Sequence, residues 1–472
     1  MIFILELLAL LFILFLIIQT FKLVLYIFYL WQIAEYRPDR LFSRLQNKGD
    51  KKELYSYLNF LNLFPPNKYP KITLRILLTF ILLIPIYYQL FFFIYRNLLH
   101  VIKMEGKLVF TLFLVLLILY YLSALIISLL TLLFSLVLLP IKKYIIFLAK
   151  KKLENHSNVV AVGITGSYGK SSTKNIIAEV LSLKYKVVKT PANINTQLGV
   201  AKTILQSVKA DTQFFVVEMG AYKIGEIQAI CNLTNPKAAV ITGINSQHLS
   251  LFGSMTNILK AKYELIKALP DSGAVFFNAK DSYCLSLHKK TRIKQSFLYG
   301  SKTEEFKEAV DAGVLLGKFF QVPAGKIKKV LPKLKRLMEL KRTKSKNGLM
   351  IFDDSYSANS NGFVKALKTI SSYKRKKIII TPGIIELGKN SDKIHRLLGK
   401  QMSETGDKIV ITNCNYYDQI LSAVKKEDKK KFLLTNNPFQ IQMWLREKLN
   451  RRWLVLIEGR VPMDVKNFFL KG

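Results

Sequence analysis

A turn with two glycines, a lysine and two serines is the segment of this sequence best suited to chemistry. It reads Thr-Gly-Ser-Tyr-Gly-Lys-Ser-Ser over residues 165–172, between a β-branched run and a segment typical of a helix. Glycines let the backbone turn tightly so that its N–H groups face a phosphate, and a helix N-terminus adds positive potential. Lys170 would reach the β- and γ-phosphates of ATP, and the Ser171 hydroxyl would ligate Mg²⁺.

This turn departs from the general phosphate-loop pattern at one position. The pattern requires a glycine at position 164, where this chain has Ile164, and Gly163 comes one place too early. An ordinary strand-to-helix turn would not need Gly-Lys-Ser-Ser at the start of its helix, so nucleotide binding is the better interpretation. The residues predicted to bind ATP here are Thr165, Gly166, Ser167, Tyr168, Gly169, Lys170, Ser171 and Ser172.

Two residues further along the chain suit a metal site beside this turn. Glu218 ends the predicted strand FFVVEMG, and a carboxylate there is a natural hard oxygen ligand for Mg²⁺. His248 follows the predicted strand AAVITGI, where a second metal ligand would belong. The alternatives are a strand-end surface acid and a structural histidine, since both residue types are common in those roles.

The elements that must position these residues follow an α/β pattern. From Val159 onward, short β-branched strands alternate with helical segments, which indicates a mainly parallel sheet covered on both faces. After a break near residues 300–346, a second series of strands predicts a separate, smaller, Rossmann-like domain. Its strands are GLMIFDDS, KKIIITPG, DKIVITN and RRWLVLIEG.

The first 140 residues have a different character and indicate a membrane region. Apolar runs cover residues 2–31, about 72–95 and about 108–140, and each is long enough to cross a bilayer. The first loop and the segment after residue 141 are basic, so the positive-inside rule places both in the cytoplasm, which three spans satisfy and four do not.

The fold class predicted from these patterns is an α-helical transmembrane region followed by two α/β domains. The first of these is a phosphate-loop-type central ATPase domain. The predicted boundaries are 1–140 for the membrane region, 141–156 for a basic connector on the inner leaflet, 157–325 for the central domain and 326–472 for the C-terminal domain. The predicted location is therefore the cell membrane, multi-pass, with the α/β domains in the cytoplasm.

The charge and the cysteines limit the partners. The formal net charge is +40, which suits an anionic bilayer surface or a Lys-rich solvated face. No aromatic-interleaved basic motif or zinc-knuckle spacing is present, so nucleic acid is not an expected partner. Cys231, Cys284 and Cys414 lie far apart without metal-ligand spacing, which suits a reducing compartment.

Seven segments, in order, resemble motifs of the Mur ligase family, and together they cover about residues 155–465. Within the family, EMGA and DDSYSAN resemble the type that adds D-alanyl-D-alanine. The segments are TGSYGKSST, TPANINTQLGV, EMGAYKIGEI, ITGINSQHLSLFGS, AKYELI, DDSYSANSNGF and ELGKNSDKIH.

The resemblance implies a reaction and a set of residues. In this family ATP phosphorylates a substrate carboxylate, an amine attacks the acyl phosphate, and the tetrahedral intermediate collapses to an amide. By resemblance, the catalytic residues are Lys170, His248, Arg336 and Lys262, which is carbamylated in the family; the neighbouring Lys335 leaves Arg336 open by one position. ATP would also contact Asn278, Arg336 and Asp353, the metal would be held by Ser171, Glu218 and His248, and substrates would contact Asn195, Thr196, Asp354, Tyr356 and Asn359.

Departures from the family pattern leave the acceptor open. Gly243 replaces an asparagine, Ser357 and Ser360 replace Asn and Pro, and 458–460 reads Glu-Gly-Arg in place of Lys-Gly-Ser-Arg. The membrane region occupies the place of the domain that grips the UDP-sugar, so the expected cell-wall precursor is either soluble or lipid-linked. The expected amine is an amino acid or a dipeptide of the D-Ala-D-Ala type. A ligase for a polyamide or folate-type carboxylate, and a non-catalytic nucleotide-binding scaffold for cell-wall enzymes, are the alternatives.

Overall fold

The structure is a computed structural model whose chain divides into two compact units, Met1–Ile141 and Lys142–Gly472. We call them the helical unit and the α/β unit. The residues described are 2–46, 48–62, 68–102, 108–300, 308–337, 342–345, 348–355, 359–445 and 449–471.

The helical unit consists of long apolar helices joined by short polar ones. Its helices are α1 (Ile2–Ile33), α2 (Pro38–Leu45), α3 (Lys48–Leu58), α4 (Leu74–Ile102) and α5 (Leu108–Val137). Among the described residues, three helical segments are long and apolar enough to cross a membrane: Leu11–Ile33, Leu74–Ile94 and Phe113–Glu154. The third runs through α5 into α6 (Leu139–Glu154). These segments overlap the three predicted apolar runs, and the third continues past residue 140 through most of the predicted connector.

Apolar side chains are exposed along one face of the helical unit. Along α5, Leu125, Leu129 and Leu133 lie on one face and are 66, 65 and 53 % exposed. A hydrogen bond joins α1 to α5, since the Trp31 indole N–H donates to the Ser128 hydroxyl at 3.0 Å. Exposed leucines at this spacing are compatible with a lipid-facing helix surface.

A six-stranded parallel sheet forms the first half of the α/β unit. Its strands lie in the order β2-β3-β1-β4-β5-β6, and each neighbouring pair is parallel. The strands β3, β4 and β5 are buried along their whole length because helices cover both faces of the sheet. The strands are β1 (Val160–Thr165), β2 (Val187–Lys189), β3 (Phe214–Glu218), β4 (Ala238–Ile241), β5 (Ala274–Asn278) and β6 (Gln295–Tyr299).

Helices α7 to α14 accompany this first sheet. They are α7 (Lys170–Leu181), α8 (Gln197–Ser207), α9 (Glu226–Thr234), α10 (Leu249–Phe252), α11 (Met255–Lys267), α12 (Ser282–Lys290), α13 (Glu308–Phe319) and α14 (Ala324–Leu337). Two cores lie on opposite faces of the sheet, and α14 places Ile327 and Leu334 in one of them, so this core includes residues beyond 325. Ala149 of α6 is buried in the other, and Ile146 and Leu153 pack against it.

A second six-stranded sheet forms the rest of the α/β unit. Its order is β11-β10-β9-β12-β8-β7; all neighbours are parallel except β7, which pairs antiparallel with β8. The strands are β7 (Arg342–Lys344), β8 (Met350–Asp354), β9 (Lys376–Thr381), β10 (Lys408–Ile411), β11 (Phe432–Leu434) and β12 (Trp453–Glu458). The helices are α15 (Ser360–Ser371), α16 (Ser391–Thr405), α17 (Tyr417–Ser422), α18 (Pro438–Leu445) and α19 (Met463–Lys471), with 3₁₀ turns at Gly388–Asn390, Cys414–Tyr416 and Lys426–Lys431.

Candidate active site

The strand order of the first sheet brings the predicted motifs to one place. β1 lies between β3 and β4. The chain passes from β1 to β2 and β3 on one side and then crosses to β4 on the other side, so the strand order reverses at β1. Ligands of open parallel sheets bind at the carboxyl ends of strands at such a switch point. The turn after β1, the end of β3 and the segment after β4 all lie at this edge, and they carry Lys170, Glu218 and His248.

The turn after β1 is held against the segment that follows β4. The Ser167 N–H donates to the Gly243 carbonyl at 2.6 Å, and the Asn245 N–H donates to the Ser167 hydroxyl at 3.1 Å. Gly166 has φ 155°, and a Cβ there would lie 2.1 Å from the Thr242 hydroxyl oxygen, so only glycine fits. The structure therefore gives this turn the tight backbone that the sequence predicts.

Gly243, one of the departures from the family pattern, leaves room for a side chain of the turn. A Cβ on Gly243 would lie 2.3 Å from the Cζ atom of Tyr168. The Tyr168 hydroxyl donates to the Asp281 carboxylate at 3.1 Å, and the same carboxylate accepts from the Ile244 N–H at 3.0 Å. The Tyr168 ring therefore fills the space that a side chain at position 243 would need.

Lys170 begins α7 and folds back across the turn. Its Nζ donates to the carbonyl oxygens of Gly166 and Ser167 at 2.7 and 3.2 Å. Burial lowers the pKa of Lys170, and the nearby Glu218 carboxylate opposes that shift. Carbonyl oxygens are weaker partners for an ammonium group than phosphate oxygens, so the lysine is placed to exchange them for a nucleotide.

Glu218 lies at the end of β3 and is almost fully buried. Its Oε2 accepts from the Ser171 hydroxyl at 2.8 Å and from the Lys174 Nζ at 3.0 Å, and its Oε1 lies 3.5 Å from the Asn195 amide nitrogen. Lys174 was not predicted from the sequence. It lies one turn after Lys170 on α7. Residues at i, i+4 share one face of a helix, so this spacing could have indicated that Lys174 lies beside Lys170.

The donors in this region fit a magnesium ion that shares its coordination with phosphate. Ser171 and Glu218 supply adjacent hard oxygens, which Mg²⁺ prefers. No group of three or more His, Cys, Asp and Glu residues that could hold a metal occurs among the residues described. Phosphate oxygens and water would therefore supply part of the coordination, beside Ser171, Glu218 and the predicted ligand His248.

His248 precedes α10 and has a left-handed backbone with φ 62°. Its Nδ1 bonds to the carboxylate of Glu386, which comes from the second sheet's domain, and its ring meets the edge of Tyr222 with centroids 4.7 Å apart. Burial lowers the pKa of His248, the bond to Glu386 opposes that shift, and the charges of Lys170 and Lys262 add to it. Glu386 was not among the predicted site residues, although it belongs to the ELGKNSDKIH segment.

Lys262, on α11, is a buried lysine. Its exposure is 3 %, and its Nζ lies 6.0 Å from the centroid of the Phe252 ring. Burial, together with the charge of Lys170, lowers the pKa of Lys262 to about 7, against the opposing charges of Glu226 and Glu264. A substantial fraction of this amine is therefore neutral near neutral pH.

Several of these side chains line one cavity. It brings Lys170, Asn195, His248 and Lys262 together, four residues that are far apart in the sequence. The cavity is lined by Gly166, Ser167, Lys170, Asn195, Gly220, Ala221, Tyr222, Gln247, His248, Phe252, Ile258 and Lys262. Thr196, predicted to contact substrate, is not in this lining and caps α8 by accepting from the Gly199 N–H at 3.4 Å.

The other predicted residues either do not line the cavity or lie outside the part of the chain that the structure describes. Asn278 ends β5 and donates to the Thr242 carbonyl at 2.8 Å. Asp353 pairs with Lys466 at 2.7 Å, and Asn359 caps α15 by accepting from the Gly362 N–H at 2.8 Å. Tyr356 and the side chain of Arg336, on α14, lie outside the residues described.

A pair of acidic residues ends two neighbouring strands of the second sheet. Asp354 of β8 lies opposite Glu458 of β12 in the parallel register. Glu458, one of the departures from the family pattern, is 1 % exposed. Burial, and secondarily the charge of Asp354, raises the pKa of Glu458 well above its usual range, because both disfavour the ionised carboxylate.

Comparisons with known proteins agree with this geometry. The family model that matches is the Mur ligase middle domain, over residues 164–331. The UDP-N-acetylmuramoyl-tripeptide–D-alanyl-D-alanine ligase of Bacillus subtilis (strain 168) is 29 % identical over 298 residues, which cover 56 % of this chain and 64 % of the relative. The ligase of that name from Escherichia coli (strain K12) is 26 % identical over 282 residues, covering 52 % of this chain and 62 % of the relative.

Solved structures show the same fold. MurF from Acinetobacter baumannii superposes with a TM-score of 0.58 at 20 % identity, covering 70 % of this chain and 81 % of that chain. MurF from Thermotoga maritima in complex with ADP gives 0.54 at 24 % identity, covering 70 and 83 %. The chain spans less than two thirds of the length of the curated relatives described above. Residues 164–331 of this chain are therefore similar to the Mur ligase middle domain, and the chain shares the fold of the two MurF structures.

Proposed function

We propose that this chain is a membrane-anchored, ATP-dependent ligase that adds D-alanyl-D-alanine, or a similar amine, to the peptide carboxylate of a peptidoglycan precursor. The observation that carries the proposal is the convergence of Lys170, His248 and Lys262 on one cavity, beside the Ser171–Glu218 pair. These are the residue types needed to bring two anions, a nucleotide phosphate and a carboxylate, into contact. The names of the curated relatives supply the substrate class.

The first step would transfer the γ-phosphoryl group of ATP to the substrate carboxylate. Lys170 and the N-terminus of α7 would hold the phosphates and offset the charge that develops during the transfer. Magnesium, when bound, would neutralise the phosphate oxygens. Asn195 lines the cavity and its amide lies 3.5 Å from Glu218, so it is placed to contact the substrate or a phosphate oxygen.

The second step would form the amide. The amine nitrogen attacks the acyl carbon, phosphate leaves with one oxygen of the original carboxylate, and the amine loses a proton. The incoming amine would come from the side of the second domain, because Glu386 brings that domain to His248 at the cavity. Asp353, Asp354 and Asn359 stay proposed contacts for nucleotide and amine.

Lys262 is suited to the carbamate that the family resemblance implies. A neutral amine attacks carbon dioxide and releases a proton, giving an N-carboxylysine, whereas an ammonium group cannot. The lowered pKa, about 7, keeps much of Lys262 neutral at physiological pH. We propose that carbamylated Lys262 supplies a negative group to the cavity.

The membrane anchor would come from the three apolar segments. Their exposed leucines need an apolar surrounding, and the charge distribution places the α/β unit in the cytoplasm with its ATP. The acceptor is a muramoyl peptide, either soluble or carried on a lipid, and shared anchoring would raise the effective concentration of a lipid-linked one. A folate-type ligase is less favoured because the sequence relatives add D-alanyl-D-alanine.

The test is a product assay on the full-length protein in lipid nanodiscs. With ATP, Mg²⁺, D-alanyl-D-alanine and a muramoyl tripeptide, we expect ADP, phosphate and an extended peptide identified by mass spectrometry. Lys170→Ala should lower kcat by on the order of 10²-fold or more, because it removes a charge that stabilises the transition state. Lys333→Ala, which removes only an exposed ion pair with Glu179, is the matched control and should stay active.

Two results would count against the proposal. ATP-dependent product formation by Lys170→Ala at the native rate would refute the nucleotide site. Nucleotide binding without any amide product, across soluble and lipid-linked precursors, would favour the scaffold alternative.

A further inference from the structure

One contact joins the cavity of the first α/β domain to the second. Glu386 lies in the segment that follows β9, and its carboxylate bonds to Nδ1 of His248. The Ser250 N–H also donates to the Glu386 carbonyl oxygen at 3.3 Å. The Glu386 side chain is 5 % exposed and the His248 side chain 26 % exposed, so the contact is partly buried.

Both partners are held in an uncommon backbone conformation. His248 has φ 62° and Glu386 has φ 64°, and neither is a glycine. Non-glycine residues adopt this left-handed conformation only where the surrounding structure holds them in it, and such residues cluster at functional sites. Two left-handed residues that meet side chain to side chain indicate that the contact is part of the site.

The segment carrying Glu386 is fixed from within its own domain. His395 is fully buried, its Nε2 accepts from the Ile384 N–H at 3.0 Å, and its Nδ1 lies 2.8 Å from the Ser391 carbonyl oxygen. Its ring stacks on Tyr416 with centroids 4.2 Å apart. A neutral imidazole satisfies both of these bonds, so the segment has a defined shape that does not depend on His248.

The chemistry of imidazole and carboxylate determines which group donates the hydrogen bond between His248 and Glu386. A carboxylate only accepts hydrogen bonds, so Nδ1 of His248 carries the proton, and Nε2 of the neutral ring carries the lone pair. Metal-binding histidines are oriented in this way, with the second nitrogen bonded to a carboxylate. Glu386 thus acts on His248 as such a carboxylate would, but it comes from the other domain.

We propose that Glu386, which belongs to the second α/β domain, is a positioning residue that orients His248 for metal binding. This rests on the proposed function, with His248 as a further metal ligand beside Ser171 and Glu218, as the family resemblance implies. Glu386 thus links the second domain to the metal site of the first.

The test measures metal binding and needs neither acceptor nor amine. Mn²⁺ replaces Mg²⁺, with a non-hydrolysable ATP analogue and the full-length protein in nanodiscs, and free Mn²⁺ is followed by electron paramagnetic resonance. Glu386→Gln keeps the shape of the side chain and removes its charge, and we expect Mn²⁺ to bind about 10-fold or more weakly. Glu404→Gln, an exposed glutamate on α16 of the same domain, should bind Mn²⁺ as the native protein does.

A double-mutant cycle separates orientation of His248 from an indirect effect of the substitution. In a His248→Ala background, Glu386→Gln should cause no further loss of Mn²⁺ affinity, because the residue it positions is gone. Native Mn²⁺ affinity in Glu386→Gln, or losses that add fully in the double variant, would overturn the proposal. Failure of the ligase assay alone would leave this result intact, so the two proposals fail separately.

Discussion

At the scale of single residues, burial decides the chemistry of the site more than residue type does. Lys170 and Lys262 line one cavity, but Lys170 bonds to loop carbonyl oxygens, whereas the Lys262 Nζ lies 6.0 Å from the centroid of the Phe252 ring. Desolvation without a partner disfavours the charged form of an amine. The sequence alone indicates a solvated helix lysine at 262, and only the packing of α11 reveals a different environment.

The lowered pKa of Lys262 predicts the pH dependence of activity. The amine gains its proton as pH falls through about 7, and the protonated form cannot react with carbon dioxide. We therefore expect the ligase rate, measured at fixed total bicarbonate after equilibration at each pH, to fall on the acid side of that pKa. Lys262→Arg, which stays charged, should be inactive across the range, and small carboxylic acids should partly restore Lys262→Ala. A rate independent of pH there, with an active arginine variant, would exclude the carbamate.

At the scale of elements, the turns after parallel strands were predictable and the contacts between distant turns were not. Strand-to-helix alternation and glycine spacing located the turn after β1, the end of β3 and the segment after β4, because these patterns are local. Glu386 could not be paired with His248 in that way, since 138 residues separate them and the two belong to different domains. The capping role of Thr196 was likewise hidden, because an N-cap threonine and a substrate-binding threonine look alike in sequence.

The shared space of Gly243 and Tyr168 predicts a paired substitution. Gly243→Asn restores the family residue but places a Cβ 2.3 Å from the Tyr168 ring, so the turn after β1 must shift. We expect weaker binding of a fluorescent ATP analogue to this variant. Adding Tyr168→Ala should recover part of that affinity, because it removes the clash. Equal affinity for Gly243→Asn and the native protein would show that the turn adapts at no cost.

At the scale of the whole molecule, the chain combines a helical unit with an α/β unit of MurF-like fold. The three apolar segments matched the sequence prediction because hydropathy is read directly from composition. Membrane insertion and its direction stay predictions, as do the domain boundaries, because length and composition establish only that the segments could span.

Topology can be tested in cells. The basic first loop and the basic run after residue 141 predict that both lie in the cytoplasm. A reporter fused after Gly472 should be active in the cytoplasm, and a tag near Lys51 should be protected from external protease. Exposure of the C-terminus to the outside would contradict the account, since ATP would be out of reach.

Formation of an acyl phosphate at the cavity can be measured directly by isotope transfer. A muramoyl tripeptide labelled with ¹⁸O in its acceptor carboxylate is incubated with the full-length protein in nanodiscs, ATP, Mg²⁺ and D-alanyl-D-alanine. The carboxylate oxygen that attacks the γ-phosphorus leaves with phosphate when the amide forms. We expect the released phosphate to carry one ¹⁸O for each amide made, with ADP as the other product. Unlabelled phosphate, or AMP carrying the label, would contradict this mechanism.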